Sequence, residues 1–102
     1  MAPATARSAL VVGEIVVTPA VGRLIVQGAL DPVPYLRRHL AGDWGELTET
    51  DRRDNENTLL EGGEIFSSYA TSPTQTLWIV SEWDFSVTTL LLPTTSDLNP
   101  AA

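Results

Sequence analysis

Residues 64–93 read EIFSSYATSPTQTLWIVSEWDFSVTTLLLP, and this stretch decides the fold. From Glu64 the chain alternates with a period of two, setting Ile65, Ser67 and Tyr69 against Phe66, Ser68 and Ala70. Side chains two apart share one face of a strand, so the pattern predicts a half-buried strand. Ser72-Pro73-Thr74 supplies a turn. Residues 76–83 then alternate again, with Leu77, Ile79 and Trp83 on one side and Trp78, Val80 and Glu82 on the other. Asp84-Phe85 makes a tight link to residues 86–92, and Pro93 ends the run. Three consecutive strands with short connections predict an antiparallel meander.

Upstream of Glu64 the period lengthens. After Gly13, residues 14–18 form a short β-branched run that predicts a first strand. Thr18-Pro19 is an N-cap followed by proline in the first helical turn; Ala20, Val21, Leu24 and Ile25 follow at helical spacing, and Gly28 is the stop. Asp31-Pro32 repeats the start signal. Val33, Leu36 and Leu40 then share a face, and Gly42 closes the second helix. Thr48-Glu49-Thr50-Asp51 has the spacing of a capping box, with Asp in place of the usual Glu or Gln, and opens a third helix to about Glu61. That helix is polar apart from Leu59 and Leu60, so it is expected on the surface, with Asn55 drawn partly inward on the face of Leu59. The expected class is α+β: two or three N-terminal helices on an antiparallel sheet of three C-terminal strands, plus a short N-terminal strand. One domain is expected over residues 10–93, with flexible tails at 1–9 and 94–102.

Composition narrows the chemistry. The chain has 102 residues, 43% of them apolar, enough for a single core. It has no cysteine, which removes disulfides, thiolate metal sites and cysteine nucleophiles. With one histidine it has no imidazole cluster for a metal, and no phosphate-cradling glycine motif occurs, so neither metal nor cofactor is expected. No apolar run reaches the length of a membrane span, and the N-terminus lacks the form of a secretory signal, so the expectation is a cytoplasmic protein without membrane contact.

Charge says more. Thirteen acids against six arginines give a net charge of −7. Eight of the acids crowd into residues 43–64: Asp43, Glu46, Glu49, Asp51, Asp54, Glu56, Glu61 and Glu64, opposed there only by Arg52 and Arg53. Direct nucleic-acid binding wants the opposite sign. The stretch reads either as a solvated helical face or as a negative surface offered to a basic protein partner.

Three smaller features each carry two readings. His39 is a general base or recognition group, or a packed helix-end histidine. Gly42-Asp43-Trp44-Gly45 is a binding loop, or a helix cap whose Trp plugs the sheet. Glu82 and Asp84, flanking Trp83, are paired carboxylates for acid–base work, or a solvated turn.

The string Arg38-His39, Gly42-Asp43-Trp44-Gly45, Asp51, Asn55, Gly62-Gly63, Ser68-Tyr69, continuing through Trp78-Ile79-Val80-Ser81-Glu82, Asp84, Ser86, Thr88-Thr89 and Leu91-Leu92-Pro93, resembles a family of small bacterial proteins of plasmids, prophages and integrated elements. The resemblance covers about residues 13–93 and implies a mobile-element setting; it brings no activity with it. Where that family often has a basic residue after the acid at Asp84, this chain has Phe85.

The expected function is a non-enzymatic, acidic interaction protein that inhibits a nucleic-acid-binding defence protein by occupying its basic channel. Its expected contact residues are Asp43, Trp44, Glu46, Glu49, Asp51, Asp54, Asn55 and Glu56. Two alternatives stand beside it: a small ribonuclease-like or hydrolytic toxin using His39 and Glu82, and a structural subunit that forms a homodimer, a homo-oligomer built through an exposed sheet edge.

Overall fold

A computed structural model describes residues 13–94 of the chain. The expected tails at 1–9 and 94–102 lie outside the described residues, Thr94 excepted. Seven elements follow one another: β1 (Glu14–Val17), α1 (Pro19–Val26), α2 (Val33–Leu40), α3 (Glu49–Glu61), β2 (Glu64–Ser72), β3 (Gln75–Glu82) and β4 (Val87–Leu91). The class is α+β.

The helix starts follow their capping chemistry. Thr18 accepts a hydrogen bond from the Val21 N–H through its side chain, with Pro19 opening α1. At α2 the Asp31 carboxylate accepts from the Val33 N–H at 3.1 Å. The Thr48 hydroxyl accepts from the Asp51 N–H at 3.1 Å and starts α3, whose first turn carries Glu49 and Asp51 at the positive end of the helix dipole.

The sheet order is β1-β4-β3-β2. β2, β3 and β4 form the expected antiparallel meander, with Ser67 opposite Ile79 and Ser81 opposite Thr88. β1, whose direction the expectation left open, joins the far edge parallel to β4, from Glu14 opposite Val87 to Val17 opposite Leu90, which makes the sheet mixed. Strand direction is set by where the chain re-enters the sheet, which neither period nor propensity encodes.

One face of the sheet carries the core. Val21, Leu30, Tyr69, Leu77, Ile79, Leu90 and Leu92 are buried together, with Leu24, Ile25, Tyr35 and Leu36 packed against them from α1 and α2. The alternation in β3 holds through Leu77, Ile79 and Ser81, but the strand ends at Glu82 and the turn swings Trp83 outward to 53% exposure. Trp83 therefore does not join Leu77 and Ile79 on the core side. On the opposite face Phe66 and Trp78 meet edge to face at 5.2 Å.

α3 lies along the edge strand β2 and is held there by one polar side chain. Asn55, 2% exposed, donates to the Phe66 carbonyl at 2.6 Å and accepts from the Phe66 N–H at 2.9 Å. Its amide thus mimics a neighbouring strand at one position of the edge. The next outward-facing residue, Ser68, is paired by backbone: its N–H donates to the Trp44 carbonyl and its carbonyl accepts from the Glu46 N–H. Both devices blunt an edge that would otherwise template aggregation.

Candidate functional site

The core face of the sheet holds a small polar cluster. His39 is wholly buried near the end of α2. Its Nδ1 lies 2.6 Å from the Ser67 hydroxyl of β2, and its Nε2 lies 2.8 Å from the Ser81 hydroxyl of β3. Ser81 in turn lies 2.7 Å from the Thr88 hydroxyl of β4. One ring therefore ties α2 to three strands. A neutral imidazole has one donor nitrogen and one acceptor, and the three hydroxyls can rotate to match either tautomer. Burial lowers the His39 pKa from 6.5 to about 4, so the ring is neutral at pH 7. The Phe85 ring stands edge-on to the imidazole at 6.0 Å, its backbone in the left-handed region at φ 60°. Such a conformation is a genuine outlier for a bulky residue.

This cluster has the residue types of a nucleophilic site and lacks its access. Ser67, Ser81 and Thr88 are as deeply buried as His39, and no carboxylate hydrogen-bonds to either ring nitrogen. Glu82 follows Ser81 on the strand and projects to the opposite face, where it is exposed. The structure does not bring His39 and Glu82 together. Asp84 is held instead by its own turn, accepting from the Ser86 N–H at 3.0 Å, and hydrogen bonding with Ser86 lowers its pKa.

The Gly42–Gly45 loop is strapped down. Trp44 is 7% exposed. The Tyr69 hydroxyl donates to the Asp43 carbonyl at 2.6 Å, and the Arg38 guanidinium lies 4.6 Å above the Tyr69 ring while pairing with the Asp43 carboxylate at 2.7 Å. Burial pushes the Tyr69 hydroxyl up to about 12, and the Arg38 hydrogen bond holds Asp43 below the ordinary carboxylate range. Gly45 is required here. It sits at φ +75°, and a Cβ would come within 2.2 Å of the Ser68 carbonyl oxygen and 2.6 Å of the Tyr69 ring.

The expected contact residues divide accordingly. Trp44 and Asn55 are buried and belong to the fold. Asp43, Glu46, Glu49, Asp54 and Glu56 are exposed, and Asp51 is half-exposed. Among the described residues the ion pairs are Arg38–Asp43 and Arg53–Glu49, the latter at 3.2 Å between two well-exposed side chains. Glu46, Asp51, Asp54, Glu56, Glu61 and Glu64 have no cationic partner there. Beside α3 a recess of about 490 Å³ is lined by Leu47, Glu49, Arg52, Arg53 and Glu56.

Sequence patterning overlooked Ser67 and Ser81 as partners of His39, and Thr88 as the partner of Ser81. The signal was available: Ser67 lies between Ile65 and Tyr69 on the buried side of its strand, and Ser81 follows Leu77 and Ile79. Hydroxyls at core positions require a partner.

Comparison of the chain with protein-family models, with curated proteins and with solved structures finds no match. No helix among the described residues is long and apolar enough to cross a membrane.

Proposed function

We propose that this chain is a small acidic interaction module of mobile-element type that binds the basic surface of a protein partner through α3. The observation that carries this reading is the set of uncompensated carboxylates on and around α3, six of which lack an ion pair among the described residues. A helix built this way gains little from burial. It presents a negative field that speeds encounter with a positive surface and selects against negative ones. A partner with a basic groove for nucleic acid has the matching chemistry, and covering that groove would inhibit it.

The supporting architecture is a scaffold. The Asn55 clamp fixes α3 to the sheet, and the Tyr69–Asp43 strap and the His39 cluster fix the loop and the helix α2 before it, so the charges are displayed from an anchored helix. Affinity capture with the full chain as bait, followed by mass spectrometry, tests the reading. The retained protein should carry a basic surface, elute as salt rises through about 0.1–0.5 M, and lose its nucleic-acid binding when the chain is present. Recovery of acidic or neutral partners that resist salt would reject it.

A further inference from the structure

Resting on that reading, we infer that the interface has an apolar anchor at the C-terminal end of α3. There a groove between Leu60 and Trp83 accepts one large apolar side chain of a basic partner segment, whose flanking Lys or Arg residues meet Glu61, Glu64 and Glu82.

The two leucines of α3 carry the first part of the case. They are the helix's only large apolar residues, yet the fold uses neither as a core contact: Leu59 is 52% exposed and Leu60 is 86% exposed. Asn55 does the work of attaching the helix instead. Beside the leucines stands Trp83, also half out in solvent, with its indole edge 3.8 Å from where a side chain on Gly62 would begin. Together they line a groove of about 250 Å³. That is below the usual size of a cofactor or small-molecule pocket and suits a single side chain. Trp is among the residues enriched at interface hot spots.

The nearby charge identifies the occupant. Glu61 sits at the negative end of the α3 dipole, where a carboxylate is unfavourable. Glu64 lies directly across from Glu82 on the neighbouring strand, a like-charge pair that weakens a sheet. None of the three has an ion pair among the described residues. Glu61 lines the groove itself, while Glu64 and Glu82, next in the chain to Gly63 and Trp83, line a separate recess; these local choices work against the fold, and local choices fail the fold where function takes over. A cationic segment with an apolar anchor relieves the repulsion and fills the groove in the same contact.

The test is selection of a random 16-residue peptide display library on the full chain, with the enriched peptides synthesised and titrated by NMR. The expected result is peptides combining a Leu, Ile, Phe or Trp with neighbouring Lys or Arg. Their titration should shift the Trp83 indole N–H and the Leu59 and Leu60 methyl signals. Leu60→Ser and Trp83→Ser should each weaken binding at least about tenfold; Leu60→Ser should leave the melting temperature little changed because Leu60 is already 86% exposed, while Trp83→Ser gives up the half of its side chain that is covered and should lower it modestly. Cationic peptides with no apolar residue, bound equally by both variants, would overturn the anchor and leave the acidic α3 reading standing. Peptides with no cationic preference would overturn both. Concentration-dependent shifts of these same signals without peptide would assign the groove to a second copy of the chain and overturn the inference.

Discussion

Acidification from pH 7 to 5 should destabilise this protein by an amount that one residue largely sets. The perturbation is protonation of His39, and the magnitude follows from its surroundings. In the unfolded chain the imidazole titrates near 6.5; in the fold, burial brings it to about 4. A group whose folded pKa is depressed binds its proton mainly in the unfolded state over the interval between the two values. Its contribution to stability is therefore full above about pH 6.5, declines as pH falls, and is gone once pH passes below about 4. The full difference is worth about 3 kcal/mol, of which about 2 kcal/mol is lost between pH 7 and pH 5. That is a large fraction of the roughly 5–15 kcal/mol of a typical domain. The assay is urea unfolding of the wild type and His39→Gln at both pH values. Wild type should lose about 2 kcal/mol more than the variant, with the acids common to both cancelling. Because the chain has one histidine, its ring C–H signals in a proton NMR spectrum are unambiguous and should stay flat from pH 7 to 5. A midpoint near 6.5 in the folded protein, or equal losses in the two chains, would refute the reasoning.

Two further substitutions probe the scaffold. Asn55→Ala removes both hydrogen bonds to Phe66 and strands an edge N–H and C=O, and should cost about 3 kcal/mol in urea unfolding. Asn55→Asp should do no better, since its carboxylate faces the Phe66 carbonyl. Gly45→Ala meets the Ser68 carbonyl and the Tyr69 ring and should cost roughly 3 kcal/mol or more, whereas Gly42→Ala, also at positive φ but with nothing within 4 Å, should cost about 1 kcal/mol.

The elements themselves were legible because each has a local cause. Period-two alternation marks β2 and β3, Thr18-Pro19 and Thr48 mark helix starts, and the polar sequence of α3 already says that it lies at the surface. What pairing adds was not legible. The parallel placement of β1 beside β4 depends on a long return of the chain. The outward turn of Trp83 depends on where β3 gives way to the turn closed by the Phe85 N–H on the Glu82 carbonyl. At the candidate site, the acidic stretch could be read directly from residues 43–64. The burial of Trp44 could not, because a tryptophan between two glycines is equally suited to docking or display. The Asn55 clamp was visible only as an inward-leaning polar residue; its partner is a backbone position with no side-chain signature.

The most direct test of the interaction reading is the triple reversal of Asp51, Asp54 and Glu56 to Arg, made in the full chain and measured against the captured partner at low salt. These side chains are exposed or half-exposed and none forms an ion pair among the described residues, so the circular dichroism spectrum should stay that of the fold, with only the about 1 kcal/mol that Asp51 contributes at the start of α3 given up. Binding should disappear. Undiminished binding by the reversed protein at low salt would contradict the claim that the charges of α3 make the contact.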